Sequence, residues 1–97
     1  MVPVNVLLPW PYKLVYERFP VLVDWAPLIG ETPLVAVEVA VLSGTVTVND
    51  PYPTNFQGTE QVVFLAGGKA GEYASFECRA VLEDGRRYVQ MFYQHVR

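Results

Sequence analysis

Residues 62–96 constrain the fold of this chain more than any other stretch. They contain three apolar or alternating runs, at residues 62–66, 73–82 and 88–96, which are separated by two short polar connections. In the middle run every second residue is apolar, and alternation with period two is typical of a strand with one buried face. The stretch therefore predicts three successive antiparallel strands.

Both connections carry glycine where a reversal of the chain requires it. Asp84-Gly85 separates the last two runs, and this dipeptide favours a type I′ turn in which both central residues have positive φ. The earlier connection holds three glycines in five residues, which indicates a tight loop. The predicted turn residues are Gly67, Gly68, Gly71, Asp84 and Gly85.

The first half of the chain adds shorter runs rich in β-branched residues. Strands are predicted at residues 13–17, 19–23, 35–42 and 45–48. Residues 24–30 predict a turn or a single helical turn, with Asp24 as a possible N-cap. Prolines and asparagines predict a surface loop over residues 49–58. The result is about seven short strands without a convincing helix.

These elements predict an all-β fold, an immunoglobulin-like antiparallel β-sandwich with an extended N-terminal arm. A length of 97 residues suits one such domain. A strand, a Gly-x-Tyr corner and a long final hairpin are the way in which this sandwich ends. The predicted core residues are Trp25, Val37, Val39, Phe64, Tyr73, Phe76 and Leu82.

Residues 1–12 are predicted to be an extended, proline-rich arm, and residues 13–97 the sandwich domain. Three prolines in the arm remove backbone donors and disfavour a central strand. Two interpretations stay open: an edge strand that folds onto its own domain, or an arm that docks on a neighbouring subunit. In the second, Trp10 is the central anchor. The predicted interface residues are Val4, Val6, Leu7, Leu8, Trp10 and Tyr12.

The composition favours a protein that works inside an assembly. Hydrophobic residues make up 52% of the chain and charged residues only 18%, against about 25% in an average globular protein. A domain of this size cannot bury so much apolar surface alone, and exposed apolar patches usually contact partners. The seven Lys and Arg residues are scattered and the net charge is −3, which argues against nucleic-acid binding. The longest apolar stretch is too short to cross a membrane.

The chain offers little for catalysis, so we predict no catalytic residue, no cofactor and no metal. It has one His and one Cys. His95 is expected to face solvent or an interface, and Cys78 falls on the apolar face of its strand. Residues 67–71 lack the Lys-Ser/Thr and the helix of a phosphate-binding loop. No cluster supplies the ligands that zinc or calcium requires.

The order of several short motifs resembles a family of small tailed-phage virion proteins, the fibre–tail adaptors. Asp24-Trp25 is followed by Leu28, then by Gly30-Glu31-Thr32 and a valine-rich strand. Further on come Gly-Gly-x-x-Gly, Tyr73 and Asp84-Gly85-Arg86, each after a strand. The resemblance covers roughly residues 22–96.

The resemblance implies a non-enzymatic structural protein of the virion that joins the tail, or the head–tail connector, to the tail fibres. Other virion proteins would be its partners, in multiple copies of a symmetric assembly that forms in the bacterial host cytoplasm. One alternative is a capsid decoration or tail-sheathing protein of the same fold, attached by the arm. Another is a sugar-binding adhesin module with Trp10, Trp25 and Tyr52 as stacking platforms. An enzyme is the least favoured class.

Overall fold

The structure is a computed structural model in which residues 7–97 are described. This part of the chain forms eight strands and one helical turn. They are β1 (Leu7–Pro9), β2 (Phe19–Asp24), α1 (Ala26–Ile29), β3 (Leu34–Ser43), β4 (Val46–Val48), β5 (Asn55–Gln57), β6 (Glu60–Gly67), β7 (Tyr73–Leu82) and β8 (Arg87–His95).

The strands form two sheets. The larger sheet has the order β1-β8-β7-β3, and the smaller has the order β2-β6-β4, with β5 paired to β6 beside β4. Every pair is antiparallel except β1 with β8, which run parallel. The long hairpin of β7 and β8, which the alternating sequence predicts, forms the middle of the larger sheet.

One hydrophobic core lies between the sheets and takes side chains from both. The smaller sheet contributes Val63 and Leu65, while Phe76 and Leu82 come from the larger one. Trp25 is fully buried beside α1, and its Nε1–H donates to Gln61 Oε1 at 3.1 Å. The fold is therefore an all-β sandwich, as predicted, and Trp25, Phe76 and Leu82 lie in its core.

Two predicted core residues lie elsewhere. Phe64 faces outward, because its neighbours Val63 and Leu65 on the same strand are both fully buried. The run of residues 62–66 is apolar throughout, so it carried no alternation that could assign its faces. Tyr73 is 63% exposed and shares the outer side of β7 with Ser75.

Val37 and Val39 point toward the core but are only half-buried. They lie on β3, which is an edge strand of the larger sheet. The edge position explains their exposure, since no further strand of the sheet covers them on that side.

The turn between β7 and β8 is not of type I′. Asn49 is the sole non-glycine residue with positive φ within residues 7–97, so Asp84 does not have the required conformation. Gly85 N–H donates to Leu82 O, and Leu82 N–H donates to Arg86 O, both at 2.9 Å. These bonds define a type I turn followed by Gly85 at φ 90°, the usual three-residue hairpin loop. Gly67, Gly68 and Gly71 also have positive φ, in agreement with a tight loop.

Two further local predictions were wrong. Residues 13–17 form no strand: Lys13 makes an isolated bridge with Val96, and Glu17 N–H donates to Leu14 O across a turn. Conversely, β5 lies inside the predicted loop of residues 49–58 and forms a short hairpin with β6. Both differences involve segments of three to five residues, where sequence patterns are weakest.

Candidate interaction surfaces

Residues 7–13 run along β8 as far as the end of the sheet. Leu7, at the start of β1, is in register with Met91. Further along, Trp10 N–H donates to Tyr93 O at 2.9 Å and Lys13 N–H donates to His95 O at 3.0 Å. This part of the predicted arm therefore lies on its own domain, as an edge segment of the larger sheet.

Trp10 belongs to the core of its own domain. Its side chain is 6% exposed and stacks on Phe92 with 4.7 Å between ring centroids and 14° between planes. The ring of Phe76 lies at the same distance with a tilt of 40°. The indole is therefore not available as the anchor on a neighbouring protein that the sequence predicts. An indole buries a large apolar area. Packing Trp10 against two phenyl rings of its own domain is therefore more stable than leaving it exposed at the sheet edge.

The remaining predicted interface residues are distributed differently. Leu7, Leu8 and Tyr12 are exposed, and the Arg97 guanidinium lies 4.3 Å from the centroid of the Tyr12 ring. Val4 and Val6 lie outside the described residues.

Lys13 is a buried cation that the sequence did not reveal. Its side chain is fully buried, and Nζ donates to the backbone oxygens of Leu14 at 2.9 Å, Val15 at 3.3 Å and Gly67 at 2.5 Å. Burial lowers the pKa of this amine, while the nearby Glu17 carboxylate opposes the shift. The three carbonyls tie the chain after β1 to the end of β6.

The turn after Lys13 presents an apolar tip to solvent. Glu17 Oε1 accepts the N–H of Leu14 at 2.8 Å and closes the turn. Leu14 and Val15 are both exposed, and Tyr16 at 98% exposure has almost no protein contact. An open groove of about 610 Å³ lies beside this tip, between Tyr16 and the end of β6. Tyrosine is one of the residue types that contribute most to the energetics of protein interfaces, so this tip is a candidate contact point for a partner.

The outer side of the larger sheet carries an apolar patch, called here the large-sheet surface. Val89 and Tyr93 are exposed, Met91 between them is half-buried, and Leu7 extends the patch onto β1. Tyr73 stacks on His95 at its end, with 4.5 Å between ring centroids. The large-sheet surface consists of Leu7, Tyr73, Val89, Met91 and Tyr93.

The outer side of the smaller sheet carries a second patch, the small-sheet surface. Leu22 is 58% exposed and is in register with Val62. Phe64 contacts Tyr52 edge to face, with ring centroids 5.3 Å apart, so Tyr52 is held against the sheet. The small-sheet surface consists of Pro20, Leu22, Tyr52, Val62 and Phe64. Because the sheets pack face to face, the two surfaces lie on opposite sides of the sandwich.

Within residues 7–97, the single cysteine, Cys78, is buried. Burial raises the pKa of the Cys78 thiol to about 12, so it stays a neutral thiol at physiological pH. Within residues 7–97 no group of three or more His, Cys, Asp and Glu side chains converges on a metal position. Of the aromatic residues considered for sugar stacking, Trp10 and Trp25 are buried, which leaves Tyr52 alone. Over the same residues, no helix has the length and apolar character to span a membrane.

Residues 13–93 match the model of one protein family, described as the podophage GP4 fiber-tail adaptor protein gp77. The match spans most of the 97 residues. The chain belongs to this family. This confirms the resemblance seen in the Asp-Trp and Asp-Gly-Arg motifs, and it makes the protein a structural component of a phage tail with a role in fibre attachment. No curated protein matches the chain.

Proposed function

We propose that this protein is a non-enzymatic adaptor that joins the phage tail to its fibres, with one partner on each side of the sandwich. Membership of the fibre–tail adaptor family carries the proposal. The large-sheet and small-sheet surfaces support it, because an adaptor needs two separate contact areas. Each combines aromatic and aliphatic side chains, the types that dominate the energetics of protein interfaces.

We also infer that the sandwich is of the immunoglobulin type. If β2, β3, β4, β6, β7 and β8 are lettered B to G in chain order, the two sheets read B-E-D and C-F-G. Apart from strand A, this is the strand order of the constant-type immunoglobulin fold; the N-terminal strand β1 pairs instead with β8 in the C-F-G sheet. The family match begins at residue 13, which supports an arm of residues 1–12 attached to a domain of residues 13–97, with Trp10 completing the core.

The contacts in the particle are tested by placing one charge on each surface. Leu22→Glu changes the small-sheet surface and Val89→Glu the large-sheet surface, and both side chains are at least half exposed. Lys69→Glu, in the connection between β6 and β7, is the control for a changed charge on an exposed loop. Each variant is produced in a phage that lacks the wild-type protein, and the particles are imaged and analysed for composition.

Loss of the tail contact removes the adaptor from the particle, whereas loss of the fibre contact leaves the adaptor on particles without fibres. We expect each surface variant to give one of these results and the Lys69 variant to give complete particles. Complete particles with both surface variants would contradict the proposal. If labelled adaptor were found on the capsid instead of on the tail, this would favour the role of a capsid decoration protein.

A further inference from the structure

The edge of β3 that faces away from β7 is the longest open sheet edge in the described part of the chain. β3 spans ten residues and pairs only with β7. The other edges are less suited to pairing: β1, β4 and β5 have three residues each, and Pro20 removes a donor from β2.

The residues of this edge do not oppose further pairing. Glu38 is the only charged residue of β3, which contains neither Lys nor Pro. Proteins usually protect an exposed edge with these residues, because its free N–H and C=O groups otherwise recruit another strand. The register shifts only near the ends, beside Val35 and Leu42, and leaves residues 36–41 regular.

The flank of the sandwich below this edge is also apolar and is only partly covered by β4 and β5 of the smaller sheet, which approach β3 there. Val37, Val39 and Val41 point toward the core but are half-buried, and Phe56 on β5 is exposed. On the opposite flank the chain closes its own core with Trp10. Within residues 7–97 no strand pairs with β3 on its outer edge, whereas β1 pairs with β8 on the other flank.

We propose that a second copy of this chain covers the β3 edge, with the two β3 strands antiparallel around a two-fold axis at Val39. Residues that pair across the axis must face the same side of the joined sheet, so the two-fold axis must pass through a residue and not between two residues. A register centred on Glu38 would place two carboxylates opposite each other, which is unfavourable. One centred on Val37 would bring Pro33 into the pairing.

The Val39 register avoids both problems. It places Glu38 of each copy opposite Ala40 of the other, and both residues are on the outer side of the sheet. The two half-buried Val39 side chains meet at the axis, and the four-stranded sheets join into one of eight strands. The contact is isologous, so each copy contributes the same surface. The area of one paired edge is small, so we expect weak association of isolated molecules and stronger association when a particle holds several copies.

The register is tested with two single-cysteine additions to the full chain, Glu38→Cys and Ala40→Cys. In a dimer of either variant alone, the new cysteines of the two copies are diagonal neighbours, about 7–8 Å apart. This distance is too long for a disulfide. Mixed under oxidising conditions, the two variants place the new cysteines directly opposite each other. The native Cys78 is fully buried and does not compete. We expect a covalent dimer from the mixture and little from either variant alone.

The association itself is measured by sedimentation equilibrium of the wild-type protein and of Ala40→Glu. That variant places a carboxylate opposite Glu38 of the partner copy twice, and we expect about a tenfold weaker association. Ser75→Glu adds the same charge to the outer side of β7, away from the edge, and should leave association unchanged. Because Ala40 is in register with Glu77, thermal unfolding checks that Ala40→Glu still folds. If Ala40→Glu does not fold, the proposal is decided by whether Glu38→Cys and Ala40→Cys form a mixed disulfide.

A protein that stays monomeric at all concentrations and forms no mixed disulfide would overturn the proposal. A dimer that survives Ala40→Glu without a mixed disulfide would overturn it as well, because another surface would then join the copies. The test uses purified protein alone. Its failure is therefore distinct from failure of the tail–fibre proposal, which is measured in particles.

Discussion

Lys13 is a buried charge that connects separate parts of the chain. Three backbone oxygens surround its ammonium group and compensate for the loss of water around a buried charge. Two of them belong to the next two residues of the chain, so the charge fixes the shape of the turn that carries Tyr16. The third belongs to Gly67 and connects that turn to the smaller sheet.

We expect Lys13→Met to keep the packing volume but to leave these three oxygens without their donor. The expected loss in the free energy of unfolding is about 1–3 kcal/mol, measured by chemical denaturation at neutral pH. Leu14→Ala, which changes an exposed neighbour, is the matched control. Equal stability of Lys13→Met and the wild-type protein would show that the buried charge contributes nothing net.

The same pair of proteins should differ in pH dependence. The pKa of Lys13 in the folded protein lies below its ordinary value of 10.5. Between these two values the unfolded chain binds more protons than the folded one, so this group makes the wild-type protein more stable as pH rises. The stability difference between the wild type and Lys13→Met should therefore grow as pH approaches 10.5. A difference that shrinks over this window would contradict the assigned shift.

Two phenylalanines on neighbouring strands test which faces form the core. Phe76 is fully buried, and we expect Phe76→Ala to cost about 3–5 kcal/mol. Phe64 lies on the outer side of β6 and loses mainly its contact with Tyr52, so Phe64→Ala should cost about 1 kcal/mol. Thermal or chemical unfolding measures both. Similar losses for the two variants would show that Phe64 also contributes to the core.

Among the elements, those whose pattern is local were predictable from the sequence. The hairpin of β7 and β8 has regular alternation and a glycine-containing turn, and it forms as predicted. The face of β6 was not predictable, because five consecutive apolar residues give no period. The type of the hairpin turn was not predictable either, because Asp-Gly also fits a type I turn in which only Gly85 has positive φ.

Substitutions of Gly85 test the revised turn. A Cβ at this position would meet no atom within 4 Å, so the cost of a side chain is that of the backbone conformation alone. We expect Gly85→Val to lose about 1–3 kcal/mol of stability and Gly85→Asn less, because asparagine tolerates positive φ. Asp84→Gly separates the two turn types: it should not stabilise a type I turn, whereas it would relieve strain in a type I′ turn. A clear gain in stability for Asp84→Gly would restore the type I′ assignment.

At the scale of the whole molecule, the sequence predicted that exposed apolar surfaces exist, but it did not predict where they lie. The high apolar content requires exposed apolar area, and the structure has it on both outer sides of the sandwich. Which side chains lie there depends on contacts between residues far apart in the sequence. Trp10 stacks on Phe76 and Phe92, and neither contact leaves a local pattern in the proline-rich segment.

The N-terminal segment contributes to the core and is proposed to contact a neighbour. Two of its aromatic residues allow these roles to be tested separately. Trp10 is buried, whereas Tyr12 is 53% exposed. We expect Trp10→Ala to lower the free energy of unfolding by about 3–5 kcal/mol, since it opens a cavity beside two phenyl rings. Tyr12→Ala should leave the free energy of unfolding nearly unchanged, because Tyr12 lies at the surface, where its ring contacts the guanidinium of the exposed Arg97.

Incorporation into the phage particle then shows which contribution matters for assembly. If the segment acts only through the core, Tyr12→Ala enters particles at the wild-type level, and Trp10→Ala enters them at temperatures where it remains folded. If the exposed side of the segment also contacts a neighbour, Tyr12→Ala is folded but is depleted from particles. We expect depletion of Tyr12→Ala, because Tyr12 is an exposed aromatic residue on a segment that also exposes Leu7 and Leu8. If folded Tyr12→Ala is present in particles at the wild-type level, the segment contributes only to the core of its own domain.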